Sequence, residues 1–93
     1  MKTIENKKLE KASDVKNYAS LALFICERPP LEGHTVATGR QAMKVCAILE
    51  SQKEKESIEL EDADFNFVKE QISKFKWGAY NTEIDDFVKS FEL

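Results

Sequence analysis

The chain of 93 residues holds one histidine, two cysteines, two prolines and three glycines, and each shortage excludes something. Cys26 and Cys46 form no C-x-x-C pair, and two cysteines do not make a disulfide framework. Each sits in an apolar run, which predicts buried free thiols in a reducing compartment. With His34 they supply three candidate metal ligands, without the fourth ligand or the close spacing of a zinc site. The same residues make a poor nucleophile and base, because a reactive thiolate needs an exposed, electropositive setting and the histidine has no evident orienting partner. No catalytic residue, metal or cofactor is expected.

Long hydrophobic runs are also missing. The longest, "LALFIC", has six residues, against the roughly 18–20 of a membrane span. The opening "MKTIENKKLEK" lacks the apolar core of a signal peptide. A cytoplasmic protein without membrane contact is therefore expected. No internal repeat, low-complexity tract or interdomain linker occurs, so residues 1–93 are expected to form one domain. Such a short chain buries roughly 60–65% of the surface its unfolded form exposes. That suffices for one core but not for a deep site between lobes.

Two motif-like stretches fail where geometry matters. "GHTVATGR" lacks the Gly-Lys-Ser/Thr ending of a phosphate loop, and no dinucleotide fingerprint is present. "DADFNF" matches three ligand positions of a calcium loop, at Asp62, Asp64 and Asn66. It then has Phe67 where glycine is needed and Ser73 where glutamate is needed.

What is present is apolar patterning at helical spacing, with 42% hydrophobic and 33% charged residues. A first helix is expected from the cap Ser13, carrying Val15, Tyr18, Ala19, Ala22, Ile25 and Cys26 and ending at Pro29-Pro30. A second is expected from near Thr35 to about Lys53. Gly39 inside it is explained by close approach of another backbone or by a later start at Thr38. Ile58 and Leu60 alternate with polar residues, a short strand whose only available partner is Thr3-Ile4. Residues 1–11 are thus a flexible or edge-pairing arm. Asp62 is expected to cap a third helix, with Phe65, Val68, Ile72 and Phe75 on one stripe. Gly78 suits a left-handed terminator. Asn81 or Thr82 caps a fourth helix, with Ile84, Phe87, Val88 and Phe91 facing inward. The expected fold is mainly α: four helices in a compact domain, with one minor two-stranded pairing of residues 3–4 with 58–60.

The segment "ERPPLEGHTVATGR" concentrates the histidine and both arginines. It is either a tight helix connection, as its prolines and Gly33 suit, or a ligand loop using Arg28, His34 and Arg40. Charge is uneven. Residues 1–53 carry nine Lys/Arg against six Asp/Glu, whereas residues 54–93 carry five against eleven. The acidic half repels a phosphate backbone and suits a basic protein partner. Glu59, Glu61 and Asp64 belong to its densest run. Trp77 and Tyr80 flank Gly78 in a turn, and such aromatics anchor interfaces. These five residues are the expected partner-binding set. The basic front (Lys2, Lys7, Lys8, Lys11, Lys16 and Arg40) supports the alternative of a nucleic-acid-associated regulator. The last helix, "TEIDDFVKSFEL", has four acidic residues and one lysine, which does not suit a DNA-recognition helix.

The layout "PPLEGHT....R.A...CAILE" followed by "LEDADFNFVKEQI.KFKW" resembles small uncharacterised accessory proteins of tailed bacteriophages, from about Val15 onward. The resemblance implies a viral accessory or assembly protein, in the host cytoplasm or the virion, acting through protein contacts. It assigns no catalytic or binding residue. The expectation is a non-enzymatic protein-interaction or assembly module, with a second copy of itself among the candidate partners.

Overall fold

The computed structural model describes residues 1–11, 15–28 and 33–92. Two strands and four helices follow in the order β1 (Lys2–Glu5), α1 (Tyr18–Glu27), α2 (Val36–Ser51), β2 (Ser57–Leu60), α3 (Asp62–Lys74) and α4 (Thr82–Ser90). The expected mainly helical fold with one small pairing is what forms. The pairing is antiparallel and longer than expected, with Lys2 opposite Leu60, Thr3 opposite Glu59, Ile4 opposite Ile58 and Glu5 opposite Ser57. Ile4, Ile58 and Leu60 point inward and are buried, as the two-residue period of a strand requires.

All six elements contribute to one cluster of buried apolar side chains. Its centre is aromatic. Phe65 stacks on Phe91 at 5.2 Å, Phe91 lies 5.3 Å from Phe87, and Tyr18 meets Phe87 edge-on at 5.2 Å. Val45 and Leu49 of α2, Ile25 of α1 and Val68 of α3 are buried in the same cluster. The inward stripe of α3 is as expected for Phe65, Val68 and Ile72, while Phe75 is half-buried. On α4, Phe87 and Phe91 are buried, and Ile84 and Val88 are half-buried.

The chain between β1 and α1 is docked. Leu9 is buried and its N–H donates to the carbonyl of Lys16 at 2.8 Å. Lys8 and Asn17 form an isolated antiparallel bridge. Asn17 is therefore extended, and its side chain accepts the N–H of Ser20 at 2.9 Å, making it the N-cap of α1. This corrects the expected start of the first helix. Val15 precedes the helix because the bridge holds that segment extended, and Ser13 lies outside the described residues.

Asn6 is the buried hinge of this arm. Its side-chain oxygen accepts the N–H of Ala19, and its amide donates to the carbonyls of Lys55 at 2.8 Å and Lys53 at 3.4 Å. Asn17 donates to the same Lys53 carbonyl at 2.8 Å. Two asparagines thus fix the turn between α2 and β2. Gln52 completes it by donating to the carbonyl of Glu59 at 2.9 Å and accepting its N–H at 2.7 Å. That amide occupies the edge of β2 away from β1.

Thr35 caps α2 as expected, in a reciprocal box with Thr38. The preceding Gly33 has φ 79°, a left-handed turn that glycine adopts without steric cost. Asn81 caps α4, accepting the N–H of Ile84 at 2.9 Å. Three expectations are corrected. Glu61 rather than Asp62 occupies the N-cap of α3, with no side-chain cap bond, and Asp62 is the first helical residue. Gly78 has no positive φ, because α3 has already ended at Lys74 in an extended Phe75. Gly39 lies inside α2, and no backbone of the described residues crowds it. A Cβ there would find only the His34 Cβ at 3.6 Å.

Candidate functional site

Three surface regions carry the chemistry, and the fold separates them. The first is an aromatic ledge. The chain leaves α3 extended at Phe75 and returns into α4 at Asn81. Three rings of this stretch and Phe24 of α1 meet edge to face. Phe24 lies 6.3 Å from Phe75, Phe75 lies 4.7 Å from Trp77, and Trp77 lies 6.2 Å from Tyr80. Trp77 also reaches the buried Phe87 at 6.5 Å, so the row is anchored in the core. Such edge-to-face pairs are favoured by the ring quadrupoles.

Tyr80 remains 56% exposed and Phe24 37% exposed. The Tyr80 hydroxyl donates to Asp85 Oδ1 at 2.9 Å, and Lys89 Nζ stands 3.0 Å from Asp85 Oδ2. The Lys89 ammonium, followed by the Tyr80 hydroxyl, holds the Asp85 carboxyl below its ordinary range. The same hydrogen bond raises the Tyr80 phenol. Arg28 lies over the Phe24 ring at 4.4 Å, a cation–π contact. The sequence singled out Trp77 and Tyr80 but not Phe24 as part of this surface. The missed signal is the spacing of Leu21, Phe24 and Arg28 down one side of α1.

The second region is an acidic cleft of about 230 Å³ between α2, β2 and the start of α3. Glu59, Glu61 and Asp64, three of the expected partner-binding residues, all line it together with Met1, Lys44, Ile48, Gln52 and Leu60. The Asp64 side chain is 3% exposed. Its Oδ2 lies 3.3 Å from Lys44 Nζ, an ion pair whose alignment leaves that oxygen without a hydrogen bond. Sequence reasoning missed Lys44, which sits on a different element twenty residues earlier. The five expected residues therefore fall into two groups, with Trp77 and Tyr80 on the ledge and the three acids at the cleft.

The third region surrounds His34. A cleft of about 360 Å³ lies between the start of α2 and α3, lined by His34, Thr38, Gln41, Asn66 and Glu70 among others. His34 is exposed, and its Nδ1 lies 3.3 Å from the Thr38 hydroxyl. Neither arginine of the expected ligand loop lines this cleft. Arg28 is engaged with Phe24, and Arg40 projects from the exposed side of α2. Pro29, Pro30, Leu31 and Glu32 lie outside the described residues. The lysines of the basic front divide as well. Lys7, Lys8, Lys11 and Lys16 are exposed on the docked arm, whereas Lys2 lies over the Phe65 ring at 5.9 Å.

Both thiols are free. Burial, with smaller contributions from Cys46 and Glu27, pushes the Cys26 thiol up to about 12. Burial, then Glu27, also raises Cys46. A raised thiol is protonated and a weak nucleophile at neutral pH. Among the described residues, no group of three or more His, Cys, Asp and Glu is placed to hold a metal ion. No helix among them is long and apolar enough to cross a membrane. Compared with protein-family models, curated proteins and solved structures, the chain finds no significant match.

Proposed function

We propose that the chain is a non-enzymatic interaction or assembly module that binds another protein through the aromatic ledge. One observation carries this reading. Tyr80 is 56% exposed, yet it is held in place by Trp77 on one side and Asp85 on the other. An exposed ring that is already fixed loses little conformational freedom on binding. Tyr, Trp and Arg are also the residue types that dominate interface energetics. Phe24 and Arg28 extend the ledge across α1, giving a contact area larger than one side chain. Thiols driven away from reactivity and a solvent-facing His34 fit a binding role better than an acid–base one.

The test is a photo-crosslinking amino acid placed at Tyr80, with Lys69 on the exposed side of α3 as control. The expected outcome is a discrete adduct from position 80 that is absent from position 69 and is lost when Trp77 is replaced by alanine. An adduct of twice the chain mass identifies a second copy, and any other discrete mass a different partner. Equal, diffuse labelling from both positions would overturn the reading.

A further inference from the structure

We propose that the outward face of α2 is a self-association surface, on which a second copy of this chain lays its own α2 antiparallel across a two-fold axis. This surface is separate from the aromatic ledge and goes beyond the binding proposed there. Successive residues of a helix are turned by about 100°. Ala42, Val45 and Leu49 bury one side of α2 in the core. The opposite side carries Val36, Arg40, Met43, Ala47 and Glu50, and all five are exposed. Their spacing alternates between four and three residues, the stripe along which two helices pack.

Two features set this stripe apart from an ordinary solvated face. The first is apolar. Val36 is 72% exposed and Met43 75%, more than Tyr80 or Phe24 on the ledge. Apolar side chains left this open gain by leaving water. The second is unspent charge. The Arg40 guanidinium makes no hydrogen bond or ion pair with any described residue. The Glu50 carboxylate has Lys53 Nζ at 3.5 Å, an exposed pair within one turn, which contributes little.

The order of the stripe selects the occupant. Arg40 and Glu50 are centred on position 45, and so are Met43 and Ala47. Two copies of α2 running antiparallel, with position 45 on the axis, bring each Arg40 to Glu50 of the second copy. They also bring each Met43 to Ala47 of the second copy, so a large side chain meets a small one, as interdigitated packing requires. A parallel pairing sets Arg40 against Arg40 and Glu50 against Glu50. The stripe is thus complementary to itself in one orientation, the condition for a closed two-fold dimer. Lys44 lies on the flank, and its charge is answered by Asp64 at 3.3 Å. From Arg40 to Glu50 the stripe runs about 15 Å along the helix. So small an interface gives a weak dimer, with a dissociation constant of about 100 µM.

Sedimentation equilibrium of the full chain from about 10 µM to about 1 mM tests this, with circular dichroism verifying that each variant is folded. The wild type is expected to dimerise within that range. Arg40→Glu and Glu50→Arg each place like charges at both ends of the pairing and should weaken it about tenfold. The double exchange restores opposite charges and should recover the wild-type affinity to within about threefold. Met43→Glu should leave a monomer. A wild type that stays monomeric throughout would overturn the proposal. So would a dimer indifferent to the single exchanges, as a parallel pairing or another surface gives, or single losses that the double exchange does not rescue. Trp77→Ala should leave dimerisation unchanged. A dimer lost with that variant belongs to the ledge and refutes this inference while leaving the ledge reading intact.

Discussion

The side-chain oxygen of Asn6 accepts the backbone N–H of Ala19 at 2.9 Å, tying the N-terminal arm to the first turn of α1. The amide of the same side chain holds the carbonyl of Lys55. One residue thus joins three segments distant in sequence.

Asn6→Ala leaves the Ala19 N–H and the Lys55 carbonyl without that partner. Each buried orphan costs about 1–3 kcal/mol, so a loss of about 2–4 kcal/mol is expected. Urea denaturation reads it as a lower midpoint at an unchanged slope. Asn6→Asp keeps the acceptor for Ala19 but sets an oxygen against the Lys55 carbonyl, and it should rescue little.

Phe87 is fully buried and touches Tyr18, Phe91 and Trp77. Phe87→Ala should cost about 3–5 kcal/mol through lost burial and the cavity left behind. Trp77 rests on that ring, so its fluorescence should shift to the red in the folded variant. An unshifted spectrum would mean that the ledge does not depend on the core beneath it.

Gly39→Ala should stabilise the chain. The residue is inside α2, its φ is not positive, and an added Cβ makes an ordinary contact with His34. The expected gain is about 0.5–1 kcal/mol, from reduced freedom of the unfolded chain and better helix propensity. Thermal denaturation checks the sign.

Cys26 links stability to alkaline pH. Its thiol is pushed up to about 12 by burial, from an ordinary 9.0. The folded state keeps the proton while the unfolded state releases it, so rising pH favours unfolding. The contribution is fully present below about pH 9 and is lost as pH climbs through about 12. Denaturation midpoints of the wild type should therefore fall toward those of Cys26→Ala as pH rises from neutral to about 11. Parallel profiles would show that other groups, Tyr18 among them, set the alkaline limit.

Much of the helical frame was legible because its signals are local. Thr35 and Asn81 announce the starts of α2 and α4, and the stripe of Phe65, Val68 and Ile72 needs only its spacing. The β pairing was legible by elimination, since Thr3-Ile4 was the only partner available to Ile58 and Leu60. The start of α1 was not. Asn17 wins over Ser13 as the expected cap because its segment is drawn into a bridge with Lys8, a contact across the arm that helical periodicity does not encode. The role of Asn6 was hidden for the same reason. A lone asparagine in a lysine-rich arm looks solvated until the turn at Lys53–Lys55 is folded against it. At the candidate site, the acids were visible as a run, but the cation answering Asp64 comes from α2 and required the tertiary structure.

The Gln52 amide, bonded to both backbone groups of Glu59, stands where a neighbouring strand would have to lie. Open sheet margins invite runaway stacking of extended chains into fibres. Here a helix-end side chain fills the margin of β2 at Glu59 from within, so an incoming strand would have to displace Gln52 to pair there.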